Sequence, residues 1–311
     1  MQTEPPQASS GRHPPEGGQQ PWGGPAAADS SGPVGVFDSG VGGLSVWREI
    51  RRALPSESTC YFADQIHVPY GPRPVDELRA LSEGITRFFF EHGCKTVVVA
   101  CNTASAAALK HLRDTFPGVP IIGMEPAVKP AAALTQSGVV GVMATPATFQ
   151  GRLFQATVGR HAAHVRLINQ VCDGLAEQVE SGVLDGPEAS ALLNRFLDPI
   201  LAAGADTVVL ACTHYAFLLD AIARRCGPDV TVIDPAPAIA RHLGDRLAAA
   251  HLLASAGHQP VHTFFTTGPG PAFDALASRL VATPIRSIRA TWGDGHVMVD
   301  RPELQADSRA A

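Results

Sequence analysis

Two stretches, TVVVACNTASAAALKHL (Thr96–Leu112) and TVVLACTHYAFLLDAI (Thr207–Ile222), are variants of one pattern. Each opens with Thr-Val-Val, runs through apolar residues to Ala-Cys, and continues with apolar residues at helical spacing. Their cysteines, Cys101 and Cys212, lie 111 residues apart. A short, continuous apolar run reads as a strand buried on both faces, and the amphipathic run after it as a helix. Each cysteine is thus predicted at the carboxyl end of a core strand, just before a helix N-terminus.

Working outward, the same alternation fills the chain from residue 33. PVGVFD (33–38), TCYFAD (59–64) and VPIIGM (119–124) read as strands of a first series, with helical spacing at Leu44, Trp47, Ile50 and Leu54 and again over 75–92. SGVVGVMA (137–144), HVRLINQ (164–170) and VTVID (230–234) read as strands of a second series, with helices near 148–159, 174–181 and 187–203. VGV recurs at 34–36 and 140–142, and TVV at 96–98 and 207–209, offsets of 106 and 111 residues. That period suggests a duplicated α/β unit and is too long for a solenoid repeat. Apolar strands alternating with helices imply mostly parallel sheets covered on both faces, with ligands beyond the carboxyl ends of the strands. The expectation is an α/β fold of two pseudosymmetric domains, with the active site in the cleft between them. Residues 33–130 plus 234–290 form the first domain and 131–233 the second, between tails at 1–32 and 291–311.

Composition narrows the function. The chain has 311 residues, 45% apolar and 17% charged, with net charge -5 and no dense basic block. Nothing points to nucleic acid, and no apolar run approaches the roughly 18 residues of a membrane span. Residues 1–32 are rich in Pro, Gly, Gln and Ser and are expected to be disordered, with Trp22 a lone aromatic in that tail. The absence of a secretory signal points to the cytoplasm. The six cysteines contain no Cys-x-x-Cys pair; disulfides are not expected in this setting, and Cys60, Cys94 and Cys226 read as buried apolar residues.

Cys101 and Cys212 admit two readings: core residues at the ends of duplicated strands, or a pair of acid–base groups facing one cleft. A thiol has a pKa near 8.5, which a helix N-terminus or a positive neighbour lowers. Two opposed thiols suit removal of a proton from one face of a carbon and delivery to the other, without a covalent intermediate. Polar residues cluster at the same strand ends: Asp38 and Ser39 after the first strand, Asn102, Thr103 and Ser105 after Cys101, Thr145 and Thr148 in the second series, and Thr213, His214 and Tyr215 after Cys212. Hydroxyls, amides and helix N-terminal N–H groups can cradle a carboxylate. A lone Asp after a strand is also an ordinary helix cap; the recurrence of polar groups at matching turns favours a shared site.

Other chemistries fit less well. GVGGLS (40–45) lacks the third glycine of a dinucleotide loop and the Gly-Lys-Ser/Thr of a phosphate loop. Of the three lysines, Lys95, Lys110 and Lys129, only Lys129 is a candidate for a Schiff base with pyridoxal phosphate. Cys212 with His214 makes a poor zinc signature without a second close pair, and His161 and His164 read as surface residues.

The motifs GVFDSGVGGLSV, VPYG (68–71), VVACNTASA and ACTHY, with GMEPAVKPA and ATPATF, resemble the glutamate racemases of the aspartate/glutamate racemase superfamily over roughly residues 33–290. That resemblance implies cofactor-independent, two-base racemisation supplying D-glutamate for bacterial peptidoglycan, with no metal. Carried onto matching positions, it implies that Cys101 takes the proton from D-glutamate and Cys212 from L-glutamate. Asp38 would assist Cys101, and His214 with Glu180 would assist Cys212. Asp38, Ser39, Tyr70, Gly71, Asn102, Thr103, Thr145, Thr213 and His214 would hold the substrate. It also implies a homo-oligomer, expected as a dimer. The chain departs from the pattern at Ala216, commonly Pro, and at Asp173 after Cys172, commonly Pro, which makes Glu177 a competitor of Glu180. Aspartate as substrate, or a racemase-like fold serving as a binding protein on a DNA-handling enzyme, are the alternatives.

Overall fold

The duplicated pattern of strands is realised as two sheets. The computed structural model describes residues 29–125 and 127–299. The chain lays down β1 (Val34–Asp38), α1 (Leu44–Ala53), β2 (Thr59–Ala63), α2 (Val75–Glu91), β3 (Thr96–Val99), α3 (Asn102–Thr115), β4 (Ile121–Gly123) and α4 (Val128–Leu134). It continues through β5 (Val139–Ala144), α5 (Pro146–Gln150), α6 (Arg152–His161), β6 (Arg166–Val171), α7 (Leu175–Glu180), α8 (Gly186–Ala202), β7 (Thr207–Ala211), α9 (Leu219–Cys226) and β8 (Thr231–Ile233). It then adds α10 (Ala236–Ala249), β9 (His262–Thr266), α11 (Gly270–Val281), β10 (Ser287–Gly293) and β11 (His296–Val299).

The first sheet runs β11-β10-β9-β2-β1-β3-β4 and the second β6-β5-β7-β8. The block β2-β1-β3-β4 has the order of the whole second sheet, with every pair parallel. Registers match as well: Gly35 pairs with Val97, and Gly141 with Val208. The VGV and TVV repeats are therefore one four-stranded unit built twice. The two glycines do the same work. A Cβ on Gly35 would come within 2.7 Å of the Phe89 ring, and one on Gly141 within 2.3 Å of Ile200. Their absence lets α2 and α8 lie directly on the central strand of each half.

β1, β2, β3 and β7 are buried along their whole length, as their apolar, β-branched sequences require. In α1, Leu44, Trp47 and Ile50 are fully buried and Leu54 just beyond it is half-buried. One apolar cluster takes in Leu44 and Ile50, Leu197 and Ile200 of α8, and Leu243 of α10, so the halves share a core. No helix among the described residues is long and apolar enough to cross a membrane.

Four features differ from the sequence expectation. The helix near 148–159 is two helices, α5 and α6, broken at Gly151. The segment after Cys212 begins as a 3₁₀ turn, Thr213–Leu218, before α9. The fold does not end at residue 290: β10 continues to Gly293 and pairs antiparallel with β11 through an Asp294–Gly295 turn, both residues at positive φ. That is the hairpin geometry Asp-Gly favours. Finally, residues 29–32 of the expected N-terminal tail form a turn, and the carbonyl of Ser30 accepts a hydrogen bond from Lys95, itself buried in a 2.6 Å ion pair with Glu57. Residues 1–28, including Trp22, and 300–311 lie outside the described residues.

Candidate active site

Parallel strands that end together gather the residues just beyond them at one edge. Phe37 and Val99 are register partners, and Asp38 and Cys101 follow them. Ala144 and Ala211 are partners, and Thr145 and Cys212 follow them. The two edges line a single cavity of about 130 Å³. Ser39, Tyr70, Gly71, Cys101, Asn102 and Thr103 come to it from the first half, and Thr145, Glu180, Cys212, Thr213 and His214 from the second. A larger neighbouring cavity of about 640 Å³ shares Gly71, Thr103, Thr145 and Glu177 with it but is lined by neither Cys101 nor Cys212. Both candidate cysteines line the smaller space.

Cys101 caps α3: its Sγ accepts the amide of Ala104 at 3.5 Å. That contact favours a thiolate, but burial, the charge of Asp38 and a thiol-to-carboxylate hydrogen bond outweigh it and hold the thiol well above its ordinary pKa. Asp38 stands behind the cavity wall, wholly buried, rather than in it. Its Oδ1 accepts the Ser39 amide at 2.7 Å, and its Oδ2 accepts the Gly43 amide and, across the interface, the Thr213 hydroxyl at 3.3 Å. Burial raises its pKa; the positive charge of His214 and the bond from Cys101 oppose that without cancelling it.

Cys212 has a different companion. Its Sγ lies 3.7 Å from Nδ1 of His214, whose Nε2 lies 2.7 Å from Oε1 of Glu180. Burial pulls the imidazole pKa down, but the hydrogen bonds and charges of Cys212 and Glu180 carry it well above the ordinary histidine value. Burial pushes Glu180 up, and the bond and charge of His214, the Val41 amide at 2.8 Å and the Gln65 side chain bring it below the ordinary glutamate value. Glu177 lines both cavities but makes no hydrogen bond to His214 among the described residues. The glycine loop after β1 makes room for this chain of groups. A Cβ on Gly40 would fall 1.9 Å from Glu180 Oε1, and one on Gly42 2.4 Å from His214 Nδ1.

Asn102 is buried in the cavity wall, and neither its amide nitrogen nor its oxygen has a partner. Thr103 and Thr145 join the halves through a 3.0 Å hydroxyl contact, and Thr148 backs Thr145 at 3.1 Å. Ser105 is not part of the cavity: its hydroxyl donates to the Val99 carbonyl and accepts the Met124 amide, tying β3 to the end of β4. Tyr215 is buried and donates to the Cys172 carbonyl at 3.4 Å. Tyr70 lines the cavity, but its hydroxyl is committed to Asp64 at 2.7 Å and its carbonyl accepts the Arg73 amide, so only its ring and main-chain N–H are free for a ligand. Lys129 is exposed on α4, and His161 and His164 lie away from the cavity. Cys60 and Cys94 are buried, whereas Cys226 is only half-buried at the end of α9. Among the described residues no three His, Cys, Asp or Glu side chains are grouped as metal ligands. Sequence reasoning passed over Asp64 and Gln65. Asp64 follows Ala63, the register partner of Asp38, so the same strand-end rule points to it.

The Asp/Glu/Hydantoin racemase family profile matches residues 34–243. A glutamate racemase of Stutzerimonas stutzeri is 52% identical over 228 residues, covering 73% of this chain and 86% of the relative. One from Roseiflexus is 48% identical over 252 residues, covering 81% and 93%. Among solved structures, a glutamate racemase isoform of Bacillus anthracis superposes with a TM-score of 0.77 at 34% identity, covering 86% of this chain and 99% of that one. The Escherichia coli glutamate racemase, in complex with L-glutamate and the activator UDP-MurNAc-ala, gives 0.73 at 30% identity over 86% and 99%. With a matching family profile over two thirds of its length and relatives near half identity, the chain belongs to the Asp/Glu/Hydantoin racemase family and stands among its glutamate racemases.

Proposed function

We propose that the chain interconverts L- and D-glutamate, with Cys101 and Cys212 as acid–base groups on opposite faces of Cα. The observation that carries this reading is that equivalent strand ends of a duplicated unit bring two thiols to one cavity, each with a different polar partner. From L-glutamate, the Cys212 thiolate takes the Cα proton and the Cys101 thiol delivers one to the other face. Burial and Asp38 keep Cys101 protonated for that step. From D-glutamate the roles reverse. Asp38, its own pKa raised by burial, takes the Cys101 proton, and the thiolate so formed removes the Cα proton. The Cys212 thiol delivers its proton and is left as a thiolate beside the His214 imidazolium, and Asp38 releases the proton it took to solvent, which returns the enzyme to the form that acts on L-glutamate.

The carbanion's charge spreads into the α-carboxylate, so donors aimed there stabilise the transition state. Asn102 supplies an unpaired amide, and the N-terminus of α3 and the turn after Cys212 supply main-chain N–H groups. Leaving the Asn102 amide buried without a partner costs roughly 1–3 kcal/mol, which a bound carboxylate or ammonium offsets. D-glutamate made this way serves peptidoglycan synthesis in the cytoplasm, and the chain works as a homodimer; these parts of the reading rest on its likeness to the glutamate racemases. The test is incubation with L-glutamate, and separately L-aspartate, in D2O. Deuterium should appear first in the inverted enantiomer of glutamate, as transfer between two bases requires. Absence of exchange would overturn the reading, and comparable turnover of aspartate would overturn the substrate.

A further inference from the structure

One buried carboxylate beside the site takes no part in the proton transfers. Asp64 follows β2, next to Asp38 in the sheet, and is fully buried. It stands at the N-cap of the short 3₁₀ turn Gln65–His67 but makes no side-chain cap bond there. Instead, side chains from three separate segments converge on it. Tyr70 donates to Oδ2 at 2.7 Å, and His67 Nδ1 lies 2.8 Å from the same oxygen. Trp292 Nε1 donates to Oδ1 at 2.8 Å, and the Thr267 hydroxyl at 3.2 Å. Trp292 belongs to the C-terminal hairpin, stacks edge-on against His67, and fills the space over Gly84 of α2 that a Cβ would occupy.

We infer that Asp64 is a positioning residue: it fixes Tyr70 and Gly71 as a wall of the substrate cavity, with Trp292 and Thr267 bracing it from behind. Tyr70 and Gly71 line that cavity, and no acceptor among the described residues takes their main-chain N–H groups. Two adjacent free amides form a site for a substrate carboxylate only if the segment carrying them is held still. Burial and Asp64 keep the Tyr70 phenol protonated, so it remains a donor to Asp64. Asp64 acts on binding geometry and exchanges no proton with Cα. The inference deepens the functional reading above and rests on it for the identity of the ligand.

The test compares wild type with Asp64→Asn, Tyr70→Phe, the double variant and Trp292→Phe, by steady-state kinetics and by calorimetric binding of L- and D-glutamate. Asn matches the shape of Asp64 but brings an NH2 group against the converging donors. Asp64→Asn should raise KM and Kd about tenfold and leave kcat within about threefold. The fall in kcat/KM should be the same for both enantiomers, since their equilibrium constant is unity. Tyr70→Phe should cost a similar factor, and the double variant little more than either single one, because both break the same contact. A Kd within twofold of wild type for Asp64→Asn, or losses that multiply in the double variant, would overturn the inference. Should Asp64→Asn fail to fold, Trp292→Phe decides: it keeps an aromatic ring and removes one donor. A KM and Kd raised severalfold supports the inference, and unchanged values overturn it. Binding of glutamate by wild type without racemisation would sink the functional reading alone and leave the Kd comparison standing. Failure of wild type to bind glutamate would sink both.

Discussion

The two halves hold their cysteines by the same means and furnish them differently. Both thiols follow a buried Thr-Val-Val strand paired to the central strand of a four-stranded unit, in the same register. Yet Cys101 faces a carboxylate that favours its protonated form, whereas Cys212 faces an imidazole charged with the help of Glu180. Duplication of a fold sets where a group stands; three or four neighbouring residues set which way its proton leans. An enzyme that must work from both enantiomers needs both things. On the proposed mechanism, equivalent placement puts a base on each face. Unequal partners let one thiol rest protonated beside a proton acceptor while the other rests beside a proton donor. The links between the halves follow the same division, with Thr213 reaching Asp38 on one side and Glu180 reaching the Val41 amide on the other.

The comparison breaks most directly at the sulfurs. Cys101→Ala and Cys212→Ala, each confirmed folded, should lose inversion by on the order of 10³-fold or more, near the upper range of a positioned acid or base. Each should keep a one-sided activity. Cys101→Ala should exchange the Cα proton of L-glutamate in D2O without inverting it, and Cys212→Ala that of D-glutamate. Substantial inversion by either variant would show that the equivalent placement of the thiols is not what the reaction uses.

The unequal partners are probed next, by Asp38→Asn and His214→Asn, each expected to cost about 10²-fold. Steady-state kcat/KM cannot assign the loss to one direction, because the equilibrium constant between enantiomers fixes the ratio at unity. Single-turnover proton abstraction can. Asp38→Asn should slow abstraction from D-glutamate more, for want of the group that takes the Cys101 proton. His214→Asn should slow reaction from L-glutamate more, because the imidazolium no longer supports negative charge on sulfur. Equal losses in both directions from both variants would mean that the asymmetry has no kinetic meaning.

What the sequence made legible was whatever depends on spacing along one strand or helix. The Thr-Val-Val-x-Ala-Cys runs and the VGV repeats were enough for the parallel sheets and for the duplication, because continuous burial and close helix packing leave a compositional trace. The furnishing of the thiols was harder to read. His214 is two residues from Cys212, but Glu180 reaches it from another element, and only the room left by Gly40 and Gly42 allows that contact. Asp64 went unnoticed because its partners, Thr267 and Trp292, come from more than 200 residues away. Trp292 sits in a hairpin whose Asp-Gly turn was a readable signal, passed over once the C-terminus was taken as a tail. The hydroxyl of Tyr70 could not be assigned from sequence at all, since a phenol beside a cavity can face the ligand or the wall.

The finest prediction concerns Glu180, which touches no sulfur and meets His214 Nε2 at 2.7 Å, the contact through which it is proposed to act. Glu180→Gln keeps a side chain able to meet the imidazole but removes the charge that helps raise its pKa. The racemisation rate at its pH optimum should fall by about tenfold, or about 1.4 kcal/mol of transition-state stabilisation. The pH dependence carries the sharper signature. His214 has a raised pKa in the folded protein, so it loses its proton only well above 6.5, and without Glu180 it should lose it earlier. The alkaline limb of the rate profile in the L-to-D direction should therefore move to lower pH in Glu180→Gln. Stability follows the same linkage with both signs present. The depressed pKa of Glu180 contributes stability above about 4.5 that is lost as pH falls. The raised pKa of His214 contributes stability that is full below 6.5 and is lost as pH rises through its folded value. The difference in unfolding free energy between wild type and Glu180→Gln should accordingly be largest between those two values and shrink on both sides. An unmoved alkaline limb, with a stability difference flat across pH, would show that Glu180 serves the Val41 amide and the joining of the halves rather than the proton on His214.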